Sequence, residues 1–546
     1  MKKILLPVLL LITSYYSQCQ TSKETAQLAT LGKLWGFLKY YHPSALRGKP
    51  DWDKELLRLI PLAEQAVPGK PFDSLLETWY HSLPAARPAT KAVNWNADST
   101  VRVFTEKNIQ RFTVSARLKK ELLQLYHYHV PDTSRYVTRY YDGHLYDHII
   151  HTEDAHENPA YPSREMRLLA LFRYWNTIEY FYPHKQRIAN WDKVLTEYIN
   201  RFLQAKDSFQ YRYAIRELIH ELPDSHSFMQ QPGDTYYFYP FRLDYIQGKY
   251  IIGQCDTLIA RANDYRLGDE VSAVNGKITA TIEKELLKIT TGTNRLSLHR
   301  NIAQQLLKNG DSIVQVTFTR KGQNFTKEVA LHTWPVYSKM QRAIVPLWRQ
   351  LEKGIWYVRF CSISNPDTLK TLFRDISQAK AVIWDMRDYP NYKVTTELYQ
   401  YLFPLKTTFT EERNASDFFP GSFTKGHYYF TPATDKSIAI YTGSLIVLVD
   451  EHTQSLSESV AAVLKLRSNT VTMGRQTAGT TGNITWLTLP GGIEVSYTGV
   501  GVTGAQQTFR EGDGVKIDIP VKLTAARISN SPDYILEQAM LYAQKL

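Results

Sequence analysis

Cysteine is nearly absent from this sequence, with three in 546 residues. That excludes a disulfide framework as the source of stability, so the fold has to rest on buried apolar surface. One of the three, Cys19, lies in the opening segment, and Cys255 and Cys361 are expected as buried apolar thiols. Long apolar runs are missing too. Beyond the opening segment no stretch approaches the ~18 apolar residues that a membrane span needs. Nor is there a block of like charge. The net charge of +12 is dispersed along the chain and reads as surface charge, which excludes a basic arm for nucleic acid.

A metal-binding pattern is lacking as well. His144, His148, His151 and His156 crowd one segment, and a helix would put His144 and His148 on one face, as a metal site requires. No HExxH arrangement accompanies them, and the Asp and Glu among them suit a solvated loop. Neither a metal nor an organic cofactor is expected.

What is present is the composition of a packed globular protein: 43% hydrophobic, 13% aromatic and 22% charged residues. A chain of this length divides into about three or four domains. The opening MKKILLPVLLLITSYYSQCQ has a basic start, a short apolar stretch and a polar exit, the pattern of a secretory signal peptide over residues 1–19. Tyr16, Ser17 and Gln18 lack the Leu and small residues of a lipid-attachment site. Cleavage near Cys19 and export to the periplasm or beyond are therefore expected rather than a lipid anchor.

The chain echoes itself. LWGFLKYYHP ends at Pro43 and YWNTIEYFYP at Pro183, so Trp35 matches Trp175; DWDK from Asp51 recurs in Trp191, Asp192 and Lys193. Both copies show apolar residues at helical spacing, a proline stop and a second helical stretch. Between the copies, VRVFTEKNIQRFTVSA alternates like strands. These features predict a helical and mixed domain over 20–164, followed by a helical segment over 165–235.

Residues 236–332 turn to short strands. GKYIIGQC, DEVSAVNGK and DSIVQVTFTRKGQ alternate apolar and polar residues, with turn signals at NG and KG. RLGDEVSAVNGK followed by TATIEKELLKIT resembles a PDZ domain, which implies a clamp that takes up chain ends by strand addition. From 333 to 546, strands and helical stretches alternate: IWYVRF, TLKTLFRDISQA, AVIWDM, then SLIVLV, SVAAVLKL and TVTMG. This predicts a mainly parallel, covered sheet, with ligands at the carboxyl ends of its strands. The segment DEHTQSLSES, residues 450–459, sits at one such end. Ser455 and Glu458 have the spacing of a capping box, yet a helix start also offers free N–H groups to an oxyanion, so cap and nucleophile share one geometry.

Several motifs decide between those readings together. TQSLSE after SLIVLVDE, GRQTAGTTGN, LPGGIEVSYTGVGV and REGDGVKIDIPV resemble the carboxyl-terminal core of the tricorn and C-terminal processing peptidases, serine peptidases with an inserted PDZ domain. The resemblance runs from about Arg167 to the C-terminus. It implies an α/β multidomain fold with a core of the ClpP/crotonase type, and an exported serine peptidase acting on peptides or unstructured tails. Carried over, Ser455 would be the nucleophile and the Leu456 N–H an oxyanion donor. The processing branch keeps a lysine where this chain has Thr480, so the base would instead be His226 in PDSHS, beside Ser225. Glu511 would orient His226 through Ser225. The glycine turn that donates the second oxyanion N–H reads RDYPNY here. Pro390 has no N–H, so Asn391 or Tyr389 would have to serve. A catalytically silent peptide-binding protein is the rival reading.

Overall fold

The computed structural model describes residues 5–86, 89, 91–93, 100–141, 147–154, 159–230, 236–255, 264–333, 346–432 and 438–546. The signal peptide expected over 1–19 lies outside the residues whose side chains are described. Two compact units form: Met1–Glu221 with Arg413–Gly426 and Asn483–Val500, and Leu222–Glu412 with His427–Gly482 and Gly501–Leu546. Among the described residues no helix is long and apolar enough to cross a membrane.

In the first unit the echoed segments are helices. Helix α1 (Leu5–Tyr41) precedes α2 (Trp52–Gln65), and α3 (Arg164–Phe181) precedes α4 (Trp191–Gln204), with α5 (Ser208–His220) after it. The second helix of each pair starts on a side-chain cap, Asp51 accepting from the Lys54 N–H and Asn190 from the Lys193 N–H. The tryptophans account for the echo. Trp35 Nε1 donates to the Trp52 carbonyl at 2.9 Å and Trp52 Nε1 returns to the Trp35 carbonyl at 3.1 Å. Trp175 and Trp191 repeat the exchange at 2.8 and 3.1 Å. All four indoles are buried, so each N–H needs such a partner. Equivalent positions of the two copies also meet. The Tyr40 and Tyr180 ring centroids are 5.1 Å apart, and a Cβ on Gly36 would stand 1.8 Å from Asn176 Oδ1, so glycine alone fits. Contact between equivalent positions marks a local pseudo-twofold axis.

Two expectations are corrected here. Of VRVFTEKNIQRFTVSA, only Val101 and Arg102, in the strand Thr100–Arg102, are extended, while Glu106–Gln110 and the segment from Ala116 are helical. Thr105 and Asn108 bond each other at the start of the first of these helices, and Ile109 is buried, so capping and burial override the alternation. The histidine-rich segment, expected as a solvated loop, is a hairpin strand where it is described. His148 and His151 lie on β2 (Asp147–His151), paired with β1 (Val137–Tyr141), where a spacing of three points side chains to opposite faces. His144 and His156 lie outside the described residues. Among the described residues no cluster could hold a metal ion.

Two six-stranded sheets dominate the second unit. The first contains β3 (Phe241–Ile246), β4 (Lys249–Cys255), β5 (Glu270–Val274), β6 (Lys277–Ile278), β7 (Ile313–Arg320) and β8 (Gln323–Ala330) in the order β8-β7-β5-β4-β3, with β6 on β5. The turn signals act as expected: Asn275 and Gly276 both take positive φ between β5 and β6, and Lys321 and Gly322 do so between β7 and β8. Helices α6 (Thr279–Leu286) and α7 (Arg295–Leu306) follow β6. Ile302 and Leu306 of α7 pack with Phe241, Leu243 and Val316. Cys255 and Cys361 form no disulfide and are half-buried against the two cores, less buried than the thiols expected.

The second sheet runs β9 (Trp348–Glu352), β10 (Ile355–Val358), β11 (Ala381–Asp385), β12 (Ser444–Val449), β13 (Thr470–Gly474) and β14 (Ile519–Pro520). From β10 to β14 all neighbours are parallel; β9 is antiparallel to β10. Helices α8 (Asp367–Asp375), α9 (Tyr392–Leu398), α10 (Leu456–Leu464) and α11 (Tyr534–Ala543) belong to it. Strand β12 shows why its sequence is an unbroken apolar run. Leu445, Val447 and Val449 pack in one cluster with Val460 and Leu464 of α10, while Ile446 and Leu448 pack in another with Ile535 and Ala539 of α11. Both faces are covered, and each such side chain contributes roughly 1.5–3 kcal/mol.

Candidate active site

Ser455 stands between the carboxyl end of β12 and the first residue of α10. Its backbone has φ 58° and ψ −120°, a conformation that costs a residue with a Cβ of order 1–3 kcal/mol and is held only where the surroundings impose it. The cause is on both sides. The Ser455 N–H donates to the Thr480 carbonyl at 2.9 Å and, at 3.4 Å, to Glu458 Oε2. Its carbonyl accepts from the Ser459 N–H and from the Thr481 hydroxyl. The Ser455 hydroxyl stands over the first turn in the capping-box arrangement but makes no cap hydrogen bond of normal geometry. The Leu456 N–H opens α10, where no intrahelical carbonyl can take it.

The turn after β13 organises everything near Ser455. Thr480 Oγ1 donates to Glu511 Oε1 at 2.8 Å and lies 3.4 Å from Asp224 Oδ1. Asp224 Oδ1 accepts the His226 N–H at 2.8 Å. One threonine thus joins the Ser455 turn, Glu511 and the histidine loop. From the other side, the segment leading into α7 braces both parts. Thr293 donates from its N–H and its hydroxyl to Ser225 Oγ, each at 2.9 Å, and takes the Ser225 N–H at 2.7 Å. Asn294 Nδ2 donates to the carbonyls of Thr477, Ala478 and Gly512. Ser225 is bonded to Thr293 and Glu511 to Thr480, and one chain of contacts from Glu511 to the His226 loop runs through Thr480 and Asp224.

Gly479 makes this close approach possible. Its φ is +76°, and a Cβ there would stand 2.7 Å from the Gly512 carbonyl oxygen. Gly479→Ala is expected to cost about 2 kcal/mol in urea unfolding and to lower kcat with little change in KM, because the displaced turn carries Thr480. An unchanged kcat would show that the turn does not hold the reacting groups.

The loop after β11 lies against the same region. The Met386 carbonyl accepts from the Ser457 hydroxyl at 2.6 Å and the Thr453 hydroxyl at 3.0 Å. Arg387 bonds both Asp385 and Asp533 at 2.7 Å. Asn391 caps α9, its Oδ1 accepting from the Lys393 and Val394 N–H groups, and Tyr389 is exposed.

The electrostatics follow from burial. His226 is buried, which holds its imidazole below the ordinary value of 6.5; the Asp224 carboxylate opposes that shift and Arg300 adds to it. The ring is consequently neutral near pH 7 and able to accept a proton. Glu458 is fully buried and its carboxyl is pushed up to about 7 by burial, against the hydrogen bonds it accepts. Sequence reasoning placed Glu458 only as a capping partner and passed over Asp224, Thr293 and Asn294. The unusual density of Thr and Gly in GRQTAGTTGN was the one available signal.

A serine held at positive φ at the start of the helix that follows a central parallel strand is placed at the carboxyl end of the sheet, where such folds present ligand-binding and reactive groups. Residues 354–521 match the model of peptidase family S41. This segment, less than a third of the chain, is thus similar to an S41 peptidase core, which supports a serine-type peptidase. No curated protein matches the chain. Among solved structures, mature CPAF complexed with lactacystin is similar over 70% of this chain and 97% of its own, at 13% identity and a TM-score of 0.54. A second structure of mature CPAF gives a TM-score of 0.53 at 13% identity, over 70% of this chain and 96% of that one. The photosystem II D1 C-terminal processing protease covers 68% of this chain and 95% of its own at 16% identity, with a TM-score of 0.43. At these identities the likeness to the two CPAF structures speaks for the fold alone.

Proposed function

We propose that this chain is an exported serine peptidase that hydrolyses peptides or unstructured protein tails, with Ser455 as nucleophile and His226 as general base. The observation that carries the reading is the strained Ser455 backbone, tied through Thr480 to both Glu511 and the Asp224–His226 loop. Ser455 Oγ attacks the scissile carbonyl while His226 takes its proton. The oxyanion is met by the Leu456 N–H and by an N–H of Asn391 or Tyr389. Collapse gives the acyl ester, and His226 returns the proton to the leaving amine. Water, deprotonated by the same histidine, then frees the acid and restores Ser455. Glu511 and Ser225 position these groups, the first through Thr480 and the second through Thr293.

Residues 236–332 we read as the PDZ-like clamp. β3 is the edge strand of its sheet, where strand addition would occur. Tyr245 of β3 stacks on His299 of α7 with ring centroids 3.6 Å apart, so a chain end laid along β3 beside α7 would meet that pair.

The test is an intact-mass measurement after treatment with a fluorophosphonate. One adduct, mapped to Ser455, is expected. A folded protein that remains unmodified would count against the assignment.

A further inference from the structure

Glu458 is left unused by the reaction scheme, yet its carboxylate accepts four hydrogen bonds. It is fully buried. Oε1 accepts from the Thr477 hydroxyl and from the Gly479 N–H at 2.7 Å; Oε2 accepts from the Thr480 N–H at 2.9 Å and the Ser455 N–H at 3.4 Å. The bond that defines a capping box is the longest of these. A carboxylate serving only as a cap would have no need of the others.

We propose that Glu458 is a positioning residue of the peptidase reaction: it holds the turn 477–480 against the start of α10, and thereby sets both the strained backbone of Ser455 and the Thr480 hydroxyl that reaches Glu511 and Asp224. The inference rests on Ser455 being the nucleophile. The donors around Glu458 are N–H and O–H groups with no acceptor among them, so the site suits the ionised carboxylate. Adding a proton converts one oxygen into a donor that faces another donor, and half of the turn loses its anchor.

The surroundings make that proton relevant. Arg300 of α7 faces Glu458 and favours the charged form; the same Arg300 is attracted to Asp450 and Glu451 of the loop after β12. Glu511 and Asp224 stand beyond the Thr480 hydroxyl, and His226 beyond Asp224. Burial outweighs the favourable contacts and lifts the carboxyl to about 7, whereas His226 lies below 6.5. An acid limb of activity close to pH 7 therefore belongs to Glu458, and the limb of the base lies lower.

The test is Glu458→Gln, which has the shape of the protonated acid and removes a buried charge, so it is expected to fold. Fluorophosphonate labelling of Ser455 should slow about 100-fold and should lose its limb near pH 7. Amide hydrogen exchange at Gly479 and Thr480 should rise in the variant. Labelling at the wild-type rate with the limb retained, or unchanged exchange at those amides, overturns the proposal. If the variant does not fold, the wild type decides: a labelling rate flat from pH 8 down to about 6.5 overturns it, and a limb near 7 accompanied by faster exchange at Gly479 and Thr480 supports it. A wild type that is never labelled refutes the nucleophile reading instead, and the exchange measurement then judges the anchoring by itself.

Discussion

Ser455→Ala, Ser455→Asp and Ser455→Asn are each expected to lower turnover of an unstructured protein substrate about 10⁴-fold or more, while leaving the protein folded. A capping serine needs only an acceptor, which Asp and Asn keep; acyl transfer needs a hydroxyl that can attack. The structure sharpens the contrast. Because the Ser455 hydroxyl makes no normal cap bond, Ser455→Ala should cost less than the ~1 kcal/mol of an ordinary cap. Asn and Asp also tolerate positive φ better than Ala, so the order of stability should place them above it. The neighbouring serines are controls with defined structural roles. Ser457 donates to the Met386 carbonyl and Ser459 pairs with the Thr481 hydroxyl. Their Ala variants should lose up to about 1 kcal/mol of stability each and keep most of the activity. Initial rates with urea unfolding of each variant make the measurement, and hydrolysis near the wild-type level by Ser455→Ala would reduce DEHTQSLSES to a helix start.

His226→Ala should abolish turnover with equal completeness, and the pH profile identifies the base independently. The base must be neutral to work. Burial and Arg300 lower the His226 value and Asp224 only partly restores it, so its limb in kcat/KM falls below pH 6.5, beneath the limb near 7 assigned to Glu458. In Glu458→Gln the lower limb should remain alone, and in His226→Ala the residual rate should lack it. Stability follows the same sign. Between the depressed folded value and the unfolded value of 6.5, the unfolded chain binds more protons. The contribution of His226 is therefore complete above pH 6.5 and is lost as the pH falls through that window. His226→Ala should show a flatter loss of stability on acidification. A profile whose only limb lies well above neutrality would identify a lysine and remove His226 from the scheme.

Local patterns in the sequence determined much of the architecture. The unbroken apolar run SLIVLV predicted a strand covered on both faces, and β12 is one, because a chain buried on two sides has no polar alternation to show. NG and KG predicted tight turns through the backbone freedom of asparagine and glycine, and both pairs take positive φ. The echo of Trp35 in Trp175 predicted paired helices, although the exchange of indole bonds that explains it is visible only in three dimensions. Where local signals misled, packing had outvoted them: Glu106–Gln110 alternates yet is helical because Thr105 caps it and Ile109 is buried, and the His148 region pairs as a hairpin. The motifs around Ser455, His226 and Glu511 could be quoted from the sequence, but not their connections. Segments near residues 224, 293, 386, 455, 480 and 511 converge only when the chain folds, so the sequence read Glu458 as a cap and left the role of Thr480 blank. The proton affinities of His226 and Glu458 depend on burial and on Arg300 and Asp224, surroundings that do not exist in the unfolded chain, and those only the tertiary structure decided.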